Sequence, residues 1–464
     1  MERKIKFLAL CLLIIIISDK SFVHAQSIAA GGQHSLFRCS NGFVMATGSG
    51  QYGQLGIGTF QDLNFPFMLV SFSGISKVAA GQNHSLFRRS DGTAWSCGVN
   101  GYGQLGIGTI NNSNLPVQVN GLTGVSTVSA GMFHSLFLKN NGEVWSCGIN
   151  SNGELGNGTF TNTNVPLQAV SLSGITSIAA GGFHSIFLKE DSTVWVCGFN
   201  IYGELGTGNI QNYATPVQNT SLDSIIAIAG GKYHSLFLKD DGTVWACGAN
   251  STGQLGNGTN TDSNIPVQVN TLIDIAAISA GENHSLFLKS NGTVWACGSN
   301  LYGQLGNGTF IESNIPVQVN SITGIYEITA GFNHSLFRQN DSTVWACGAN
   351  SYGQLGNLSN TISNIPVAVY ELCTFTVGIN EPEDFSNGIN LFPNPGNDKI
   401  FLEADSKYIG ANLQVVNIFG EEIFWTSLNK ETTLINLSKH AKGIYFYKVH
   451  RENRIVASGK IVIE

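Results

Sequence analysis

Seven histidines spaced 50 residues apart are the side chains whose type and spacing first suggest chemistry. Each begins the string His-Ser-Leu-Phe or His-Ser-Ile-Phe; they are His34, His84, His134, His184, His234, His284 and His334. A ring of imidazoles suits metal binding or acid–base catalysis. However, every unit would carry the same copy, and no second ligand stands at metal-ligand spacing. The pattern therefore predicts structural histidines, buried where neighbouring units meet and hydrogen-bonded to the backbone, with no catalytic residue, metal or cofactor.

Six cysteines repeat with the same period, and two others break it. The repeating ones are Cys97, Cys147, Cys197, Cys247, Cys297 and Cys347. Equivalent positions at strand centres rarely reach the ~5.5–6 Å Cα separation of a disulfide, so these six are predicted to be small buried hydrophobic side chains. Cys39 and Cys373 lie near the two ends of the repeats. Whether they form a disulfide depends on a separation that the sequence does not supply, and that question stays open.

Two carboxylates are the faint sequence indication of catalysis. Glu154 and Glu204 each replace the glutamine of a repeated Gly-Gln-Leu-Gly loop. Carboxylates that cluster in one or two units and face a channel would indicate an enzyme. No nucleophile elbow, phosphate loop or paired-carboxylate arrangement stands out from the repeats.

Aromatic residues that vary between units indicate a candidate ligand-binding face. They occupy the two positions before the repeated histidine and a later Asn-x-Tyr-Gly loop, and they are Tyr52, Tyr102, Phe133, Phe183, Tyr202, Tyr233, Tyr302, Phe332 and Tyr352. The strand directions predict that both loops lie on one face. Such a face, aromatic and weakly charged on a rigid scaffold, suits glycans or extended peptides. In the alternative interpretation, many of these tyrosines simply pack between loops.

The elements that position these residues are short strands. A hydrophobic period of two predicts two strands in each unit, as at residues 175–181 and 184–189. Thr-Val-Trp-Ala-Cys-Gly, as at 243–248, is typical of a third strand, and Pro-Val-Gln-Val, as at 316–319, of a fourth. Asn-Gly or Asp-Gly between the second and third strands predicts a type I′ hairpin. Seven such units over residues 27–376 predict a seven-bladed β-propeller, the alternative being an open solenoid.

The ends of the repeat region predict how the ring closes. The last unit reaches residues 366–369 with no following strand of the Ile-Ala-Ala-Gly type. The first unit begins with residues 27–31, which no fourth strand precedes. We therefore expect the N-terminal strand to complete the last blade and to cover its open edge.

The composition disfavours nucleic-acid binding and helical bundles. The chain has 23 Lys and Arg against 30 Asp and Glu, and charged residues make up 11%, where about 25% is usual. Such a surface lacks the clustered cations that neutralise phosphates, so no nucleic acid is expected as a partner. The 56 glycines favour turn-rich β-structure.

Residues 1–25 have the pattern of a secretory signal peptide. Basic residues precede an apolar run at 7–17, and Val-His-Ala ends at Ala25, so cleavage is expected between Ala25 and Gln26. The run is shorter than the roughly 20 residues that span a bilayer. We therefore expect export through the periplasm and no stable membrane span.

Three strings at fixed offsets identify a family. They are Ala-Gly-x-x-His-Ser-Leu-Phe, Val-Trp-x-Cys-Gly-x-Asn and Tyr-Gly-Gln-Leu-Gly-Asn-Gly-Thr. Together they resemble the repeats of the regulator of chromosome condensation family, which implies a seven-bladed propeller. The family's founding member is a nucleotide-exchange factor that binds chromatin. Its exchange activity is associated with a wedge inserted in one blade, for which the strict 50-residue spacing leaves no room, so the resemblance is used for the fold only.

The tail resembles a second family. Its motif residues are Pro393, Asn394, Pro395, Gly443, Tyr445 and Lys460. A Pro-Asn-Pro start, a Gly-x-Tyr strand and a Lys-led terminal strand resemble the type A sorting domain of the type IX secretion system, characteristic of Bacteroidota. This resemblance implies a small β-sandwich at 390–464, after a linker at 377–389. It also implies export by the type IX secretion machinery, followed by release or surface attachment.

These patterns predict an all-β chain in which a seven-bladed β-propeller is followed by a small β-sandwich domain. We expect a monomeric, non-enzymatic binding protein, secreted or on the outer cell surface, with an extracellular glycan or protein as ligand. The alternative is an extracellular propeller enzyme that degrades polysaccharides or cleaves lactones. Guanine-nucleotide exchange by family analogy is third.

Overall fold

The computed structural model describes residues 25–69, 72–373, 388–394, 396, 398–417, 422–440, 442–451 and 454–463. The predicted signal segment before Ala25, most of the predicted linker and Pro395 lie outside these residues. The chain divides into two compact units at residues 374 and 375. The described residues form strands and connecting turns, with one short 3₁₀-helix.

The first unit is a propeller of seven four-stranded antiparallel sheets, the blades, each with strands A to D in chain order. Blade 1 comprises β1 (Ala25–Ala30), β2 (His34–Cys39), β3 (Val44–Gly48) and β4 (Leu63–Met68). Blade 2 comprises β5 (Ile75–Ala80), β6 (His84–Arg89), β7 (Ala94–Gly98) and β8 (Ser113–Gln118). Blade 3 comprises β9 (Val125–Ala130), β10 (His134–Lys139), β11 (Val144–Gly148) and β12 (Thr163–Gln168). Blade 4 comprises β13 (Ile175–Ala180), β14 (His184–Lys189), β15 (Val194–Gly198) and β16 (Tyr213–Gln218).

The remaining blades follow the same plan. Blade 5 comprises β17 (Ile225–Gly230), β18 (His234–Lys239), β19 (Val244–Gly248) and β20 (Ser263–Gln268). Blade 6 comprises β21 (Ile275–Ala280), β22 (His284–Lys289), β23 (Val294–Gly298) and β24 (Ser313–Gln318). Blade 7 comprises β25 (Ile325–Ala330), β26 (His334–Gln339), β27 (Val344–Gly348) and β28 (Ser363–Ala368).

The predicted completion of the last blade by the N-terminal strand is wrong. β1 pairs with β2 in the first blade, and blade 7 contains four strands of its own. The reason is the short A–B connection, which brings consecutive antiparallel strands together without a crossover. A continuous meander of four strands therefore begins at each Ile-Ala-Ala-Gly segment.

A disulfide ties the first blade to the end of the last. Cys39, at the end of β2, and Cys373, after β28, are joined with a Cα–Cα separation of 5.6 Å. Both residues are buried. This bond resolves the question that the sequence left open, and it closes a loop of 334 residues.

The B–C hairpins differ from the predicted type I′ turn. In blade 1 the Gly42 N–H donates to the carbonyl of Cys39, and Gly42 has a φ of +80° while Asn41 stays outside the positive region. This is a type I turn followed by a left-handed residue. The Asn41 side chain explains the choice, because its Oδ1 accepts the N–H of Phe43 and holds the first turn residues in place.

The propeller core lies between blades. Leu36, Val44 and Ala46 of blade 1 pack against Phe87 and Cys97 of blade 2, and all five are fully buried. Equivalent residues form the clusters between the following blades. Each blade is therefore apolar on both faces, which explains why a single unit cannot bury its own core.

The second unit is a β-sandwich. One sheet contains β29 (Ile389–Phe392), β30 (Lys399–Ala404) and β33 (Thr432–Asn436), and the other contains β31 (Asn412–Val416), β32 (Glu422–Ser427), β34 (Gly443–Arg451) and β35 (Arg454–Ile463). The 3₁₀-helix covers Ser406–Tyr408. The inner residues of the two sheets form one core.

The described part of the chain contains no helix with the length and hydrophobicity needed to cross a bilayer.

Candidate functional site

One side of the propeller carries the A–B and C–D loops of all seven blades and is called the loop face here. The two kinds of loop are joined directly: in blade 4 the Phe199 N–H donates to the carbonyl of Phe183 at 2.9 Å, and every other blade repeats this bond. The B–C turns and the connections to the next blade lie on the opposite side. Strand direction thus brings together the two loop types that the sequence analysis singled out.

The seven histidines form a closed ring of hydrogen bonds beneath the loop face. Nε2 of each histidine lies 2.8–3.1 Å from the Oγ of a serine in the next blade. Each serine hydroxyl also donates to the carbonyl of the Gln or Glu in a C–D loop. The histidines are buried where blades meet, but the predicted backbone partner is wrong, because a serine hydroxyl stands in its place.

The serine contacts fix the proton on each imidazole. Because the serine uses its one hydrogen on a carbonyl, the histidine must donate from Nε2, and Nδ1 carries the lone pair. Each Nδ1 is buried without a hydrogen-bond partner. Burial lowers the pKa of His184 to about 3, so the imidazole is neutral and serves as a fixed donor.

The repeated glycine before each histidine follows from the same packing. A Cβ at Gly31 would clash with the imidazole of His34 and with the carbonyl of Gly81. The Ala-Gly-x-x-His string is therefore a steric requirement of this junction.

Glu154 and Glu204 are buried supports of their loops. Both are 0% exposed. Glu154 accepts the Asn152 N–H and the Asn152 Nδ2 group at 2.9 and 2.8 Å, whereas Glu204 accepts the Tyr202 N–H through Oε2 at 3.0 Å and leaves its Oε1 unpaired. In the other blades a glutamine makes the same bond to the loop backbone. Burial raises the pKa of the Glu204 carboxyl to about 8.

Six aromatic rings form a continuous group over blades 2 to 5 of the loop face, called the aromatic sector here. Its members are Tyr102, Phe133, Phe183, Phe199, Tyr202 and Tyr233. Neighbouring ring centroids lie 5.0–6.2 Å apart, and Phe183 stacks on Tyr233 with an interplanar angle of 13°. The two outer tyrosines, Tyr102 and Tyr202, remain 42% and 39% exposed. The structure thus brings five of the nine predicted aromatic residues together.

The other predicted aromatic residues are distributed elsewhere on the loop face. Tyr52 and Tyr302 are exposed and Tyr352 is half-buried, each in the C–D loop of its own blade. Phe332 lies at the mouth of the central channel with Met132 and Lys232.

One ion pair borders the aromatic sector. Lys232 Nζ lies 2.5 Å from Glu282 Oε1 and 5.2 Å from the centre of the Tyr233 ring. Burial raises the pKa of the Tyr233 hydroxyl. The cation next to the aromatic sector, Lys232, is therefore neutralised by Glu282.

Sequence reasoning missed four contributors to this face. Phe199 occupies the variable position of Val-Trp-x-Cys-Gly-x-Asn, where the other units carry Ser, Val, Ile or Ala, and that variation was its signal. Lys232 and Glu282 stand at the second position before the histidine. The asparagine of the same string was missed as a support: Asn200 Oδ1 accepts the Leu205 N–H at 2.9 Å, which shapes the loop.

The repeating cysteines and tryptophans are structural. All six repeating cysteines are buried and free, and burial raises the pKa of their thiols far above the usual range. The tryptophans of the Val-Trp-x-Cys strings are half-buried. A lysine lies over the ring in several blades, as Lys239 does over Trp245 at 5.4 Å.

The described motif residues of the tail lie in its sandwich. The Asn394 side chain bridges the last strand: Nδ2 donates to the Lys460 carbonyl and Oδ1 accepts the Val462 N–H, both at 2.8 Å. Gly443 begins β34 and Tyr445 is buried in the core. Ala25 is the first residue of β1, and Gln26 accepts a hydrogen bond from Arg38.

Within the described residues, no three His, Cys, Asp or Glu side chains are grouped closely enough to hold a metal ion.

Comparison with protein families assigns both parts of the chain. A model of the regulator of chromosome condensation repeat matches residues 41–88, 91–138, 141–188, 191–238, 241–288 and 291–338, and a second model of this repeat matches seven segments between 25 and 354. A secretion system C-terminal sorting domain matches residues 390–464. The tail marks the chain for export by the type IX system to the cell surface or the extracellular space. No curated protein matches the chain.

Solved structures show the same propeller. Human WBSCR16 is 23% identical with a TM-score of 0.64, over 71% of this chain and 93% of that chain. Prp20p from Saccharomyces cerevisiae is 20% identical with a TM-score of 0.65, over 77% of this chain and 90% of that chain. Likeness at this level of identity shows the fold alone. The repeat matches extend over more than half of the sequence, and the chain therefore belongs to the regulator of chromosome condensation repeat family.

Proposed function

We propose that this exported propeller is a non-enzymatic binding protein whose ligand site is the loop face. The observation that carries the proposal is the aromatic sector, a continuous group of partly exposed rings on loops held by a rigid scaffold. Tyrosine and phenylalanine offer large contact areas at a small cost in side-chain entropy, which suits binding surfaces. The ligand is an extracellular glycan or an extended peptide.

The placement of the two loop carboxylates favours binding over catalysis. Glu154 and Glu204, on which the enzyme alternative rested, are buried and hydrogen-bonded to the backbone of their own loops. A catalytic carboxylate must reach the atoms of its substrate. The mouth of the central channel is lined mainly by glycines and alanines of the A–B loops.

The experiment uses the full exported chain with its disulfide intact. The protein is incubated with immobilised polysaccharides and surface glycoproteins, and retention and release of soluble products are measured in the same wells. We expect retention without product release, weakened by the double substitution Tyr102→Ala and Tyr202→Ala. Tyr326→Ala is the matched control, because Tyr326 is 65% exposed at the opposite end of a strand A. Product release, or equal loss of binding in the control, would contradict the proposal.

A further inference from the structure

The seven blades differ in the residue directly before the repeated histidine, and the differences are grouped around the ring. This position is aromatic in three successive blades, 3 to 5, at Phe133, Phe183 and Tyr233. In the other four blades it carries an amide, at Gln33, Asn83, Asn283 and Asn333. Because the scaffold repeats, the backbone position is the same in all seven. At the position before the histidine, the loop face therefore has an aromatic half and an amide half.

The aromatic half is a single surface across blade boundaries. Phe133, Phe183 and Tyr233 lie in neighbouring blades, and successive ring centroids are 5.9 and 5.8 Å apart. Tyr102 extends the row at one end, 5.3 Å from Phe133, and Tyr202 at the other, 5.0 Å from Tyr233. Core packing does not require this row, since the amide-bearing blades have the same buried Leu-Phe pairs and the same His–Ser bonds.

The charges of this half are neutralised or buried, except for one exposed carboxylate, Asp262. The charged residues in the C–D loops of blades 2 to 5 are Glu154 and Glu204, both fully buried, and Asp262, which is exposed and accepts the Asn250 N–H. In the A–B loops of all seven blades they are Lys232 and Glu282, which pair with each other. An anionic ligand would find no free cation in these loops, because Lys232 is paired with Glu282. An uncharged ligand with apolar patches and many hydroxyls finds aromatic rings for its C–H faces and amides for its hydroxyls.

Peptide recognition has less support on this face. Extended peptides commonly add a strand to an open sheet edge. The loop face instead presents turns, and the A–B loops already use backbone groups on each other, as where the Gly182 N–H donates to the Gly231 carbonyl at 2.8 Å.

We infer that the aromatic sector binds an uncharged polysaccharide chain, laid across blades 2 to 5 with its sugar rings against Phe133, Phe183 and Tyr233. This inference rests on the proposed function and deepens it, because it fixes the sector and the ligand class. The adjoining amides, such as Asn83 and Asn283, accept and donate hydrogen bonds to the hydroxyls of the chain.

The repeats supply substitutions that the scaffold already tolerates. Phe183→Asn and Tyr233→Asn place in blades 4 and 5 the residue found at the same position in blades 2, 6 and 7. Tyr302→Thr places in blade 6 the residue found at Thr252, on the same face but outside the sector. Thermal unfolding of each variant verifies the fold.

The measurement is affinity electrophoresis and calorimetry of the full exported chain. The uncharged probes are hydroxyethylcellulose, xyloglucan, galactomannan and laminarin; polygalacturonate, alginate and a library of extended peptides are the contrasting probes. We expect binding to at least one uncharged polysaccharide, weakened about tenfold or more by Phe183→Asn or Tyr233→Asn and unchanged by Tyr302→Thr.

Each of the other possible results would overturn one part of the inference. Binding lost in Tyr302→Thr but kept in Phe183→Asn would overturn the sector and leave the loop face as the site. Peptides or acidic polysaccharides bound through Phe183, or no binding to any uncharged probe, would overturn the ligand class. A ligand whose binding no loop-face substitution changes would overturn the proposed function itself.

Discussion

Ser35 of the first blade and His334 of the last blade are joined by the hydrogen bond found at every other junction of the ring. Its length is 2.9 Å, and the six internal junctions span 2.8–3.1 Å. Ser35 also donates to the carbonyl of Gln354 at 2.7 Å. The propeller is therefore closed by the contacts that hold its interior junctions, together with a disulfide.

Removing this serine hydroxyl tests the closure. Ser35→Ala leaves the His334 donor and the Gln354 carbonyl buried without a partner, so we expect a loss of about 1–3 kcal/mol in the free energy of unfolding. Ser185→Ala, at an internal junction, is the control and should cost about the same or slightly less, because the Glu154 carbonyl keeps a contact from the Cys197 thiol at 3.7 Å. Urea unfolding measures both. A much smaller loss for Ser35→Ala would mean that the ring is open between blades 7 and 1.

The disulfide should stabilise the propeller through the unfolded chain. A loop of 334 residues corresponds to about 6 kcal/mol in the chain-entropy treatment, which is an upper figure. We expect dithiothreitol to lower the melting temperature of the native protein. It should leave the Cys39→Ser, Cys373→Ser double variant unchanged, because the six remaining repeat cysteines are free. A double variant that still responds to dithiothreitol would place the effect elsewhere.

Acid should destabilise the histidine ring. In the folded state burial lowers the pKa to about 3 for six of these histidines, such as His134, and to about 4 for His84, from an ordinary 6.5. Between pH 3 and pH 6.5, the unfolded chain therefore binds more protons than the folded chain. Stability is complete above about pH 6.5 and falls as the pH drops toward 3, by about 1.4 kcal/mol per pH unit for each histidine.

The unfolding free energy measured between pH 6 and pH 4 checks this prediction. His134→Gln removes one titrating group, so its slope against pH should be smaller by about one proton. An unchanged slope would show that the imidazole of His134 titrates normally in the folded protein.

Glu204 should make the free energy of unfolding depend on pH in the direction opposite to that of the histidines. Burial raises its pKa from 4.5 to about 8, so the folded state holds a proton that the unfolded state releases. Stability therefore falls as the pH rises from about 4.5 to 8. Glu204→Gln, which copies the other blades, should raise the free energy of unfolding at pH 8 by at most about 5 kcal/mol, at about 1.4 kcal/mol per pKa unit.

Glu154→Gln is the control for that substitution. Both oxygens of Glu154 already accept hydrogen bonds from Asn152, so an amide there should bring no gain. Thermal melting of both variants at pH 6 and pH 8.5 separates the two carboxylates. An equal gain in both variants would show that the unpaired Oε1 of Glu204 does not account for the gain in stability.

The sequence predicted the fold well because the pattern of each strand occurs seven times at the same spacing. The family, the seven blades and the sandwich in the tail were all accessible from motifs at fixed offsets. The start of a blade was not, because a periodic pattern has no marked beginning. From the repeat alone, the strand of the Ile-Ala-Ala-Gly type could either end one blade, next to a Pro-Val-Gln-Val strand, or begin the next blade. The short A–B connection makes it the first strand of a blade, as β1 is in blade 1.

The site was only partly predictable for a related reason. Types and positions in the sequence identified five rings of the aromatic sector, but contact between neighbouring blades depends on the angle between sheets, which no local pattern encodes. Phe199 was missed because it stands in a position that is small or aliphatic elsewhere. The bond from Cys39 to Cys373 likewise depended on a distance across the closed ring.

Because each blade consists of four consecutive strands, one 50-residue repeat encodes one complete blade. A duplication or loss of 50 codons adds or removes one whole sheet, complete with a serine for one neighbour and a histidine for the other. If the first and last blades shared a strand, one blade would be encoded by both ends of the gene, and a duplication or loss there would not add or remove a complete sheet. Here each copy keeps its scaffold residues and is free to change the residue before its histidine, so the loop face can change one blade at a time.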